Sequence, residues 1–107
     1  MENSCRLGEK PRNIQENELV YVFECENNRS AVYDKNVLIG RCEFEVINNV
    51  WNITHTIVNP GYEGRGIARK LVTMIIDEAR KNNIKINPIC SYAQKVMLGK
   101  EEYKDVL

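Results

Sequence analysis

Apolar and polar residues alternate most clearly in the middle of the chain. There Leu38, Gly40, Cys42, Phe44 and Val46 fall on one side of an extended segment, and Arg41, Glu43 and Glu45 fall on the other. Successive side chains of a strand point to opposite faces, so this period of two predicts a half-buried strand of an antiparallel sheet. Asn48 and Asn49 tolerate the positive φ that a tight hairpin demands, and they predict a turn into a second strand over 50–58. In that strand Trp51, Ile53, His55 and Ile57 share one parity while Asn52, Thr54 and Thr56 share the other, which predicts a drier and a wetter face unless a bulge switches them. Upstream, residues 19–23 are strand-type but alternate weakly, so a strand and a short helix both suit them. Residues 30–34 read as a short strand that turns at Asp34-Lys35-Asn36.

Beyond the second strand the period changes. Ile67, Leu71, Val72, Ile75, Ile76 and Ala79 recur at steps of three and four, with Arg69, Lys70, Asp77, Glu78, Arg80 and Lys81 between them, which predicts an amphipathic helix over 65–82. Asn82-Asn83 can end it in the left-handed conformation. A short strand over 84–89 then reaches Cys90, a short helix fits 93–99, and 101–107 form a closing tail. Strand, loop, helix, strand is a βαβ unit, so the strands ending at Val58 and Ile89 should lie parallel with their carboxyl ends together. The fold class expected is α/β (α+β): a mixed, mostly antiparallel sheet with one parallel βαβ pair. Residues 1–17 are polar, contain Pro11 and show no period, so they are expected to be a flexible arm before a single domain over 18–107.

The chemistry begins in the loop of that unit. Gly61, Gly64 and Gly66 crowd together directly before the helix, where bare backbone lets successive N–H groups converge on one anion and the helix start adds its own unpaired donors. A phosphate cradle is expected there. A nucleoside triphosphatase loop is excluded, because it needs Gly-Lys followed by Ser or Thr and here Ile67 follows Gly66.

Composition narrows the partners. Lys+Arg and Asp+Glu number 15 each in 107 residues, a balance that argues against a nucleic-acid partner. There is no long apolar run for a signal peptide or a membrane span, which makes a cytoplasmic protein the expectation. Cys5, Cys25, Cys42 and Cys90 are widely spaced and form no Cys-x-x-Cys pair, and His55 is the single histidine, so neither a disulfide framework nor a metal site is indicated.

The stretch from His55 to Tyr92 resembles the GNAT superfamily of acyl-coenzyme A-dependent N-acetyltransferases. Glu63-Gly64-Arg65-Gly66-Ile67-Ala68 matches the last four positions of that superfamily's pyrophosphate motif and departs at Glu63, where Gln or Arg is usual. His55-Thr56, Gly64 to Ala68, Ala79-Arg80, Cys90-Ser91-Tyr92-Ala93 and Tyr103 to Val106 are similar, in the same order, to the small single-domain YjdJ-type group. The resemblance implies a minimal GNAT fold and acetyl-CoA as cosubstrate. The pyrophosphate would be held by Gly64, Arg65, Gly66, Ile67, Ala68, Arg69 and Lys70, and the pantetheine arm by backbone groups near Ile57 and Val58. It implies acetyl transfer to an amine, on a small molecule or a protein, by a monomer or weak homodimer. The alternative is a CoA or acyl-CoA binding module without turnover.

Three residues are candidates for the chemistry. Cys90, at the carboxyl end of a parallel strand, could take the acetyl group onto its sulfur or merely line the pocket. His55 could receive the amine's proton or be a hydrogen-bonded core residue. Tyr92 could protonate the departing thiolate or simply pack.

Overall fold

The computed structural model describes residues 19–107; the arm predicted over 1–17 and Cys5 lie outside them. Five strands form one sheet in sequence order: β1 (Val20–Glu24), β2 (Arg29–Asp34), β3 (Val37–Ile47), β4 (Val50–Val58) and β5 (Lys85–Pro88). The first four pair antiparallel and β5 runs parallel to β4, as the βαβ reading predicts. Helix α1 (Ile67–Lys81) connects the parallel pair, and α2 (Ser91–Met97) follows β5. In segment 19–23, for which a short helix is the competing expectation, residues 20–23 are strand. Both predicted hairpins close on two left-handed residues: Lys35 and Asn36 at φ 51° and 71°, and Asn48 and Asn49 at 52° and 66°. This is the turn geometry whose twist matches that of the strands it joins.

The six apolar positions predicted for the main helix are all buried. They pack on the sheet face carrying Val32, Cys42, Phe44, Trp51 and Ile53. Burying such a side chain contributes roughly 1.5–3 kcal/mol, so this one layer supplies most of what holds the domain together. At its far end the Phe44 and Trp51 rings stack at 4.4 Å between centroids, with Phe23 alongside both. Helix and sheet approach closely at Gly40, where a Cβ would lie 2.9 Å from Val32 Cγ1 and 3.5 Å from Leu71 Cδ1. Buried Ser30 donates to the Leu71 carbonyl at 2.8 Å and ties β2 to the helix.

Helix boundaries differ from the expectation for local reasons. α1 begins at Ile67 rather than 65 because Gly66, at φ 76°, is left-handed. It ends as predicted on left-handed Asn83 (φ 57°), with Ile84 N–H on the Ala79 carbonyl and Asn83 N–H on that of Arg80. α2 starts at Ser91 rather than 93, since extended Cys90 caps it by accepting from Ala93 N–H on its sulfur. The closing tail coils into a 3-10 turn over Glu101–Val106 that buries Tyr103 and Val106. Cys25 is disulfide-bonded, a cross-link the cysteine spacing did not indicate.

Two bulges overturn the predicted parities. Val32 pairs with Gly40 and Tyr33 with Leu38, which leaves Ile39 as the extra residue, and Ile39 rather than Leu38 is buried. On β4, Glu43 pairs with His55 and Phe44 with Ile53, so Thr54 is extra. Past it the faces exchange: Thr56 and Val58 turn to the core side, while His55 and Ile57 turn out to solvent. The expectation that His55 and Ile57 share a face with Trp51 and Ile53 fails for this reason. Val46, also expected inside, is half exposed near the end of β3.

Candidate active site

The parallel pair comes apart at its carboxyl end. β5 follows β4 only as far as the Ile53–Pro88 pair. There the Ile53 carbonyl accepts from both Ile89 N–H (2.9 Å) and Cys90 N–H (3.0 Å), and the chain leaves for α2 while β4 continues to Val58. Ile57 and Val58 pair with Arg41 and Gly40 on their β3 side and, among the described residues, have no strand partner on the other. The gap so formed lies beside the two backbone segments singled out for the pantetheine arm.

At the end of β4, Asn59 N–H donates to Ile39 O (2.8 Å) and starts the glycine loop. Gly61, Gly64 and Gly66 have φ of 96°, 79° and 76°, and no atom lies within 4 Å of where a Cβ would stand on any of them. The loop is pinned from outside by the Tyr62 hydroxyl, which donates to Asp34 Oδ2; that bond, first among the causes, raises the Tyr62 phenol above its ordinary value. Arg65 lies over the Tyr62 ring at 5.3 Å, and Lys70 over the Tyr21 ring at 4.6 Å, so both cations have an aromatic rest. Gly66 gives α1 no side-chain cap, and the first turn carries no acidic residue. The first intrahelical bond is Lys70 N–H to Gly66 O, which leaves the amides of Ile67, Ala68 and Arg69 without an intrahelical acceptor. A bare loop, unpaired amides, a positive dipole end and flanking cations fit a pyrophosphate. Glu63, the departure from the motif, is exposed.

Cys90 is half-buried where the strands part. Its sulfur stands 3.4 Å from Thr56 Oγ1 and accepts from Ala93 N–H at 3.4 Å. The same Thr56 oxygen lies 3.3 Å from the sulfur of Cys42, which is fully buried; burial pushes that thiol up to about 12. Tyr92, next but one after Cys90, packs half-buried against the core. His55 is elsewhere. Its side chain is 64% exposed on the opposite face from Thr56, with Nδ1 3.2 Å from Thr54 Oγ1 and 3.6 Å from Glu43 Oε1.

The structure thus gathers the glycine loop, the unpaired part of β4 and Cys90 at one end of the sheet, and it separates His55 from them. Thr56, which touches both thiols, was not singled out for chemistry, because only the bulge at Thr54 turns it inward. Asp34 and Tyr21 were missed as well; they are distant in sequence from the loop they brace, and no motif marks them.

A family model described as GCN5-related N-acetyl-transferase matches residues 23–106. The NMR solution structure of a GCN5-like protein from Staphylococcus aureus is 30% identical, with a TM-score of 0.64 over 87% of this chain and 89% of that one. More distant in sequence is N-acetylglutamate synthase from Neisseria gonorrhoeae, crystallised with coenzyme A and N-acetyl-glutamate. It is 20% identical with a TM-score of 0.54, covering 64% of this chain and 17% of that one. The ribosomal-protein-S18-alanine N-acetyltransferase of Escherichia coli is 18% identical with a TM-score of 0.51, covering 62% and 39%. Among curated proteins, none matches this chain at a significant level.

Proposed function

Since this chain belongs to the GCN5-related N-acetyltransferase family, we propose that it moves the acetyl group of acetyl-CoA to an amine, with the coenzyme's pyrophosphate on residues 64–70 and its arm beside Ile57 and Val58. The observation that carries the reading is the glycine loop, left-handed at Gly61, Gly64 and Gly66 and open where side chains would stand, leading into a helix whose first amides are uncapped. The amides of Ile67, Ala68 and Arg69 hold the phosphates, and Arg65, Arg69 and Lys70 balance their charge. Bound there, acetyl-CoA supplies an activated thioester.

Cys90 acts at the acetyl end. Its sulfur bonds to the acetyl carbon as the bond from that carbon to the coenzyme's sulfur breaks and free CoA leaves. The acceptor amine then bonds to the same carbon, the Cys90 sulfur is released, and the amine's proton passes to solvent. Two groups attend that sulfur, Ala93 N–H and the Thr56 hydroxyl.

Incubation with acetyl-CoA followed by intact-mass analysis tests the route. One acetyl unit on Cys90, lost in Cys90→Ser and discharged by an amine with release of CoA, is the expected result. No adduct together with full activity in Cys90→Ser removes the covalent step. Tight CoA binding without CoA release across a panel of amines removes transfer itself.

A further inference from the structure

Thr56 holds the one proton that can be shared between two sulfurs. A hydroxyl donates once and accepts with two lone pairs. On one side of Thr56 Oγ1 is the Cys42 sulfur at 3.3 Å, sealed in the core, and on the other is the Cys90 sulfur at 3.4 Å, at the open end of the sheet. An ionised Cys90 can only accept, whereas a buried Cys42 that keeps its proton can donate.

We propose that Thr56 is the positioning residue of the Cys90 site: its hydroxyl proton is directed at the Cys90 sulfur, beside Ala93 N–H, because the Cys42 S–H occupies the acceptor side of the same oxygen. The chain of donors runs one way, Cys42 to Thr56 to Cys90. The sealed position of Cys42 supports that direction, since a thiol fully buried in the core keeps its proton and has this hydroxyl within reach as an acceptor. Two donors stabilise negative charge on the sulfur and fix the rotamer in which it faces the gap between β4 and β5. The bulge at Thr54 is what makes the arrangement, because without the extra residue Thr56 would face solvent and His55 the thiols.

This inference rests on the placement of Cys90 at the acetyl end, but its test does not depend on acetyl transfer. Iodoacetamide alkylates the sulfur as the S–C bond forms and iodide leaves, and the rate at Cys90 is followed at pH 7 on tryptic peptide 86–95 of the full chain. Thr56→Val keeps the shape and removes the donor. Losing one donor weakens the stabilisation of the negative charge the sulfur carries as it attacks, so alkylation should slow roughly three- to fifteen-fold. Thr56→Ser restores the donor and should alkylate within about two-fold of the parent rate, a rescue that packing alone does not give. Cys42→Ala leaves Thr56 in place but frees its hydroxyl to turn, and should slow alkylation less than Thr56→Val does. A far-UV circular dichroism spectrum and a cooperative thermal melt like the parent's should be retained in all three and report that each is folded. Parent-like alkylation in Thr56→Val, or slowing in Thr56→Ser equal to that in Thr56→Val, overturns the proposal. If Cys90→Ser proves fully active while the Val and Ser variants still differ as expected, the covalent route fails and the donor chain stands.

Discussion

His55 shows how one inserted residue decides a side chain's chemistry. A general base must come within about 2.6–3.2 Å of the proton it takes, directly or through one water. His55 meets instead Thr54 Oγ1 and the Glu43 carboxylate, which is also bonded by Arg41 at 2.6 Å, all on the solvent side of β4. Its neighbour Thr56 faces the thiols. His55→Gln should therefore leave the rate at which an amine discharges the acetyl adduct on Cys90, and its pH profile, within about two-fold of the parent, far short of the 10²-fold or more that a general base contributes. A loss of that larger size, with the acidic limb of the profile gone, would put the imidazole in the reaction. The sequence singled out His55 on the second hairpin strand and Cys90 after the last strand as candidates for the chemistry. Which of them meet could not be read there, because an extra residue in β4 alters neither composition nor the local run of strand formers.

Among the elements, the glycine loop and α1 were the most legible, since a helix announces itself by spacing and a loop of bare residues by composition. Gly66 carries two demands at once. At φ 76° an alanine costs about 1–2 kcal/mol of folding stability. Its added methyl group would enter the open space over the helix start that the phosphates are proposed to use. Gly66→Ala should show that modest destabilisation in a denaturant titration, and a drop in CoA affinity of at least about ten-fold by calorimetry, as expected when a charge-assisted contact is blocked. Unchanged affinity would move the pyrophosphate elsewhere. The β1–β2 hairpin makes a different prediction. Burial pushes the Glu24 carboxyl up, but bonds from Tyr33, Arg29 and Asn27, with the Arg29 charge, outweigh it and hold the group below its ordinary 4.5. A carboxyl more acidic in the folded state contributes fully above pH 4.5, and that contribution is lost as pH falls through the lowered value. Glu24→Gln should lower the melting temperature by several degrees at pH 7, corresponding to about 1 kcal/mol, and the gap from the parent should close below pH 4.5. A gap that stays constant from pH 7 to 3 contradicts the ion-pair account.

At the scale of the molecule, α1 covers one face of the sheet, while the other presents Arg41, Glu43, His55 and Ile57 with no long helix over them among the described residues. The sheet order and the parallel pair followed from strand, loop, helix, strand in the sequence. The parting of β4 and β5 did not, because it depends on Ile53 O accepting from two successive amides after β5. Three separate pieces of the chain meet at that parting: the end of β4, the start of α1 and the residues after β5. A ligand seated there bridges all three, so its binding energy should appear as global stability rather than as local ordering. Binding to the folded state alone adds about 2.7 kcal/mol at a free concentration 100 times Kd, which for a domain of this size is a rise in melting temperature of roughly 10–20 °C. CoA should produce such a rise in a thermal melt. Inorganic pyrophosphate, which reaches the loop but not the gap, should produce a smaller one, and Gly66→Ala should diminish both. A melting temperature unmoved by millimolar CoA would mean that the loop and the gap do not form one site, and the proposed acetyl transfer would lose its structural basis.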